Sequence, residues 1–195
     1  MPATSMLVLV DADDHEIGVV DKMIAHRDGT LHRAFSVFVF DRFGRLLLQR
    51  RALDKYHSGG LWSNTCCSHP RPGERPIDAA HRRLEEEMGF DCDLIGGFAF
   101  TYQSDVGNGL VEHEFDHVFV GQFDGDPSPD MSEVHGWTWR AFDEVRSDVN
   151  ARPSLYTVWF KVALERLRNA SLSALPPEAR GSFAMLMSAT DATNV

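Results

Sequence analysis

The stretch from residue 33 to residue 51 constrains the fold of this chain most. Two runs, RAFSVFVF at 33–40 and RLLLQRR at 45–51, flank Asp41-Arg42-Phe43-Gly44. Bulky and β-branched residues on either side of a short glycine-containing turn predict a β-hairpin. Neither run alternates cleanly between apolar and polar side chains, so the sheet is expected to be covered on both faces. A sheet of that kind needs helices on either side.

The remaining sequence supplies them. Pro76 suits the first turn of a helix, Ile77, Ala80, Leu84 and Met88 form its buried stripe, and Gly89 ends it. Residues 142–146 predict a short helix. A longer one is predicted from Pro153, with Leu155, Trp159, Val162, Ala163 and Leu167 as its packing face. Further strands are expected at 6–10, 18–23, 92–102, 111–122 and 137–140, with a turn at 13–15. Gly59, Gly60, Pro70, Pro72 and Gly73 enclose an irregular segment that holds Trp62, Asn64, Cys66, Cys67 and His69. The expected fold is α/β (α+β): a mixed sheet between helices in one domain over 1–195. Its core spans about 6–168, and the Ala-, Ser- and Pro-rich tail at 171–195 is expected to be loose.

Charge and cysteine content narrow the function. The net charge of −10 argues against nonspecific nucleic-acid binding, which needs an excess of Lys and Arg. A locally basic cluster is nevertheless available in Arg50, Arg51, Lys55, Arg71, Arg82 and Arg83. No run approaches the length of a membrane span, and the first residues do not read as a signal peptide. Three cysteines, two of them adjacent, make no disulfide framework, which predicts a reducing cytoplasm.

Three clusters can carry chemistry. On the helix after Pro76, Arg83 precedes Glu87 by one turn and Arg82 precedes Glu86. These are either surface ion pairs or a carboxylate for a divalent cation beside an arginine for phosphate. Glu112, Glu114 and Asp116 share one side of a strand, since side chains alternate. They are either a solvated edge or a cation or catalytic site, and the apolar Val118, Phe119 and Val120 that follow point inward. His26 and His32 flank a turn-like stretch, and His69 adds a third imidazole. Three histidines and two glutamates suit Mn²⁺, Mg²⁺ or Zn²⁺, with geometry selecting among them. Cys67 is either a small buried side chain or, beside His69 and several arginines, a catalytic thiolate; Cys66 should point elsewhere.

Taken together, HRDGTLHRAF, LLLQRRALDKYHSGGLWSNTCCSHP, RRLEEEMGF and VEHEF resemble the type-1 isopentenyl-diphosphate isomerases, which have the Nudix fold, over about residues 6–168. Residues 68–90 fall on the Nudix box: Glu74, Arg82, Leu84, Glu86, Glu87, Gly89 and Phe90 match it. Ser68 replaces its opening glycine, and Arg83 replaces a glutamate.

The resemblance implies a 1,3-allylic isomerisation of isopentenyl diphosphate to dimethylallyl diphosphate, in isoprenoid precursor biosynthesis. It implies Cys67 and Glu114 as catalytic groups, with Tyr102 beside the carboxylate and Trp159 as an aromatic cation stabiliser. Lys22, Arg51, Lys55, Ser68 and Arg83 correspond to the diphosphate-binding set. His26, His32, His69, Glu112 and Glu114 correspond to ligands of one divalent ion (Mn²⁺, Mg²⁺ or Zn²⁺), and Glu87 to the residue for a Mg²⁺ on the diphosphate. It implies neither flavin nor nicotinamide, no membrane partner, and a monomer or weak homodimer. Two rival readings are a Nudix pyrophosphohydrolase of nucleoside diphosphate derivatives and a metal-stabilised binding domain without turnover.

Overall fold

The computed structural model describes residues 6–169; the tail expected to be loose lies outside them. Strands β1 (Met6–Val10) and β2 (Glu16–Asp21) form an antiparallel hairpin. Its turn is tied to the main sheet by Asp14, whose carboxylate accepts from Arg33 Nε at 2.7 Å and lies 2.9 Å from His117 Nε2. The return strand expected to reach residue 23 stops at Asp21, because that side chain caps a helix instead. Its carboxylate accepts from the backbone N–H groups of Met23 and Ile24, at 2.9 and 3.2 Å. Helix α1 (Lys22–Asp28) follows and ends on Gly29 in the left-handed region (φ 63°). His26 therefore sits on a helix, which also takes in Arg27 and Asp28 of the stretch expected to be turn-like.

The hairpin from β3 (His32–Phe40) to β4 (Arg45–Arg51) forms, but its strands pair only at Phe40 and Leu46 before they diverge. One edge of β3 pairs in parallel with β8 (Leu110–Gln122) over the whole of β3. Strand β4 turns away to pair with β9 (Val134–Ala141) and with the short β5 (Trp62–Ser63). The gap is filled by Asn64, Thr65 and β6 (Cys66–Ser68). Thr65 Oγ1 accepts from Val39 N at 2.9 Å and donates to Leu47 O at 2.8 Å, so one hydroxyl bridges the diverging strands. Asn64 Nδ2 donates to Val37 O and Cys66 O. Backbone groups that the interrupted ladder leaves are thus satisfied by side chains. The segment expected to be irregular is partly strand for this reason.

Both faces of the sheet are covered, as the unbroken apolar pattern of β3 requires. Phe35, Val37 and Val39 pack with Ala80, Leu84 and Met88 of α2 (Pro76–Met88). Phe38 and Phe40 point the other way, onto α3 (Phe142–Ala151) and α4 (Val158–Asn169). Pro153 opens only a 3-10 turn, Pro153–Leu155; α4 starts at Val158, and Leu155 is 40% exposed and outside the packing face. Strand β7 (Leu94–Gly107) runs beyond its expected end and joins β8 through Asn108 and Gly109, both at positive φ. Among the described residues the result is a nine-stranded mixed sheet between helices, with the β1–β2 hairpin added at one edge.

Candidate active site

Strand β6 places the two cysteines. Cys66 is opposite Val37 and Cys67 is opposite Ser36 on β3, so the alternation of a strand sends their side chains to different faces. Cys66 is fully buried in the cluster under α2. Cys67 is half-buried on the wall of a cavity of about 260 Å³. Burial pushes its thiol up to about 12, against the opposing pull of Arg51. Desolvation thus opposes the thiolate that positive neighbours were expected to favour.

Strand β8 lies between β3 and β7, which rules out a solvated edge for its carboxylates. Glu112, Glu114 and Asp116 are 3%, 8% and 1% exposed. Glu114 Oε2 accepts from the Tyr102 hydroxyl at 2.6 Å, and Oε1 lies 2.9 Å from His69 Nε2. Burial works against its charge, but His32 and Tyr102 prevail and hold the Glu114 carboxyl below its ordinary range. Asp116 accepts from Ser36 Oγ at 2.8 Å; burial and the charge of Glu114 push its carboxyl well above the usual range.

Behind the cavity wall, ligand atoms of His26, His32, His69 and Glu112 lie within 4.8 Å of one another. Glu114 Oε1 is 3.8 Å from His32 Nε2. Three of these side chains have an outer atom tied and an inner atom free. His32 Nδ1 donates to Thr30 O at 2.8 Å, His26 Nδ1 is hydrogen-bonded to the Tyr56 hydroxyl at 3.0 Å, and Glu112 Oε1 lies 2.9 Å from His57 Nε2. Their inner atoms, His26 Nε2, His32 Nε2 and Glu112 Oε2, are buried without a hydrogen-bond partner among the described residues. Unpaired polar atoms converging in a protein interior are costly unless a cation joins them. Burial holds His26 near 3 and His69 well below the usual imidazole range, whereas for His32 the neighbouring Glu114 overcomes burial and raises it. The donor set fits a divalent metal ion.

The same cavity is rimmed by cations: Lys22, Arg51, Lys55 and Arg83 all line it, with Ser68 beside Cys67. Arg83 Nη2 is 2.6 Å from Glu87 Oε1 and 3.4 Å from Glu133 Oε2; Glu133 also pairs with Lys55. Arg51 lies over the Trp159 ring at 5.1 Å, and its Nε lacks a partner among the described residues. Trp159 N–H donates to Ser63 Oγ at 2.9 Å, which fixes the indole plane at the cavity.

A family model for the NUDIX domain matches residues 30–160. Isopentenyl-diphosphate Delta-isomerase 2 of Aromatoleum aromaticum is 55% identical over 161 residues, covering 83% of this chain and 85% of that protein. The isopentenyl-diphosphate Delta-isomerase of Burkholderia multivorans is 56% identical over 160 residues, covering 82% and 91%. This chain belongs to the isopentenyl-diphosphate Delta-isomerases. Among solved structures, a MutT NUDIX hydrolase from Burkholderia pseudomallei superposes with a TM-score of 0.56 at 22% identity, covering 70% of this chain and 97% of that one. That likeness establishes the fold alone.

On this isomerase scaffold most of the residues singled out from sequence lie in or against one cavity. Tyr102 stands beside Glu114, as the resemblance implied, without lining the cavity, and His26 and His32 also lie outside its lining. Arg82 is held mainly by Glu74, through bonds of 2.7 and 2.8 Å, and only weakly by Glu86 at 3.2 Å. Sequence reasoning missed Tyr56, His57 and Glu133. The first two are neighbours of Lys55 in a turn-rich loop, and no periodicity marks them as facing a site formed by β8. Glu133 precedes β9 and reads as an ordinary surface acid until the fold sets it against Lys55 and Arg83.

Proposed function

We propose that this enzyme interconverts isopentenyl and dimethylallyl diphosphate by moving one proton on and another off the five-carbon chain at Cys67 and Glu114. The observation that carries this is the sharing of one small cavity by Cys67, Glu114, Trp159 and four cationic side chains. Its volume lies at the small end of ligand pockets, which suits a five-carbon diphosphate.

The diphosphate is bound by Lys22, Arg51, Lys55, Ser68 and Arg83, which fix the alkene relative to the proton-transfer groups. An isolated double bond is a weak base, so protonation passes through a carbocation-like state. That state needs an acid, a stabilising surface and exclusion of water. One group must carry a proton while another can receive one. Cys67 and Glu114, the latter hydrogen-bonded by Tyr102, make such a pair in one cavity, and exchange with solvent returns each to its starting protonation state before the next turnover. Their roles exchange when the reaction runs backwards. The face of Trp159 stabilises the developing positive charge, an effect worth roughly 0.5–2 kcal/mol.

His26, His32, His69, Glu112 and Glu114 would hold one divalent ion (Mn²⁺, Mg²⁺ or Zn²⁺), and Glu87 a Mg²⁺ shared with the diphosphate. When bound, the first sets the charge and orientation of Glu114, and the second neutralises phosphate charge. We place the enzyme in the cytoplasm as a single-domain monomer or weak homodimer. The described cysteines are all free thiols, as a reducing compartment requires, and no described helix is long and apolar enough to cross a membrane.

The test is incubation with isopentenyl diphosphate and Mg²⁺ in D₂O, followed by NMR. Deuterated dimethylallyl diphosphate should accumulate without release of phosphate or pyrophosphate. Unlabelled substrate throughout, or phosphate release from this or a nucleotide substrate, would overturn the reading.

A further inference from the structure

The loop that carries Lys55 also carries Tyr56 and His57, which line the cavity and contact His26 and Glu112 of the metal-ligand cluster. We propose that Tyr56 and His57 are positioning residues for the metal site: Tyr56 orients His26 and His57 orients Glu112. This rests on the reading of that cluster as the site of a divalent ion.

His57 is 5% exposed, although it lies in a turn. Ser58 Oγ lies 3.2 Å from Nδ1, and Glu112 Oε1 lies 2.9 Å from Nε2. The bond to the carboxylate requires a hydrogen on Nε2, and the serine hydroxyl can then donate to Nδ1. Glu112 is left with Oε2 as its free atom, 3.3 Å from His26 Nε2 and 3.7 Å from His32 Nε2. Tyr56 does the same for the imidazole. Its hydroxyl at 3.0 Å engages Nδ1 of His26 and leaves Nε2 to face the cluster.

Packing holds both residues in these poses. The Tyr56 and His57 rings meet edge to face at 4.4 Å, and His57 meets Trp159 edge-on at 5.9 Å. The Lys22 ammonium lies over the Tyr56 ring at 5.4 Å. A ligand whose second polar atom is tied in this way enters the site with its tautomer and rotamer already chosen, which lowers the entropy lost on metal binding. Because Lys55 immediately precedes the pair, the segment that meets the diphosphate also braces the metal shell. Loops ordinarily show more freedom than the sheet they join, so this bracing has to come from the two hydrogen bonds.

The experiment measures Mn²⁺ affinity directly, by EPR titration of the full chain without any diphosphate. Tyr56→Phe and His57→Phe keep the rings and remove the hydrogen-bonding groups; His57→Gln retains a donor. Circular dichroism selects for folded variants, and Tyr56→Phe at a partly exposed ring keeps the test available if His57→Phe does not fold. Each Phe variant should bind Mn²⁺ about 10- to 100-fold more weakly, as loss of an outer-shell partner typically does. The EPR line shape of bound Mn²⁺ should change, and His57→Gln should recover part of the affinity. Affinities equal to that of the unaltered chain would overturn the proposal alone. Failure of the unaltered chain to bind Mn²⁺ at all would overturn the metal-site reading and this inference with it.

Discussion

Tyr102 donates its phenolic hydrogen to Glu114 Oε2 at 2.6 Å, directly across the β7–β8 ladder where the two residues are paired. The bond is buried and charge-assisted, and it ties the Glu114 carboxylate to a hydroxyl on a residue that is itself buried. Tyr102→Phe should lower kcat by about 10²-fold or more, in the range of a lost proton-transfer partner. It should also destabilise the fold by about 1–3 kcal/mol, because a buried carboxylate oxygen loses its donor. Steady-state kinetics and thermal unfolding of the variant check both. An unchanged kcat would remove Tyr102 from the proton path.

Glu133 occupies the place of an anion. It pairs with Lys55 and approaches Arg83 at 3.4 Å, so the diphosphate must compete with it for two of its cations. Glu133→Gln should lower KM for isopentenyl diphosphate several-fold and steepen its dependence on salt. An increase in KM would mean instead that Glu133 serves chiefly to order Lys55.

Gly89 ends α2 at φ 72°, and a Cβ there would come within 2.2 Å of the Ser128 carbonyl oxygen. The helix carries Arg83 and Glu87, so its termination positions part of the site. Gly89→Ala should cost about 1–3 kcal/mol from the left-handed backbone alone, and the clash with Ser128 adds to it. Chemical denaturation measures the loss, which should appear with little change in m-value.

Asp148 fixes the junction between α3 and α4. It accepts from the Tyr156 hydroxyl at 2.6 Å, Arg152 Nε at 2.6 Å and Arg140 Nη1 at 3.0 Å, and these donors hold its carboxyl down at about 2. A depressed carboxyl stabilises the folded state above its ordinary value of 3.8 and loses that effect as pH falls towards about 2. Asp148→Asn should therefore lower the melting temperature at neutral pH, and the difference from the unaltered chain should shrink between about pH 4 and pH 2. A difference independent of pH across that window would show that the carboxylate charge is not what holds the junction.

Much of the site was legible because its parts lie on elements with strong local signals. Glu112 and Glu114 alternate on a strand that continues into Val118 and Val120, so their burial follows from the period. Arg83 and Glu87 are one helical turn apart, and Pro76 and Gly89 mark that helix at both ends. The segment around Cys67 was harder to read. Its three-residue strand exists only because β3 and β4 diverge, a tertiary effect with no local signature, and the alternation that separates Cys67 from Cys66 follows from it. The helix that carries His26 has good caps in Asp21 and Gly29 but escapes detection in the sequence, because seven residues are too few for a periodic stripe. The state of Cys67 depends on how deeply it is buried, which neighbouring arginines in the sequence do not reveal. His57 and Glu112 meet across more than fifty positions of chain, and only the fold brings them together.

The most direct measurement compares Cys67→Ala with the unaltered enzyme in the same D₂O assay, with bound metal determined on both samples. The variant should keep its fold and its metal content, while deuterium incorporation and dimethylallyl diphosphate formation fall to background. Near-normal turnover by Cys67→Ala with metal in place would contradict the role of the thiol and, with it, the pairing of Cys67 and Glu114 as the two proton-transfer groups.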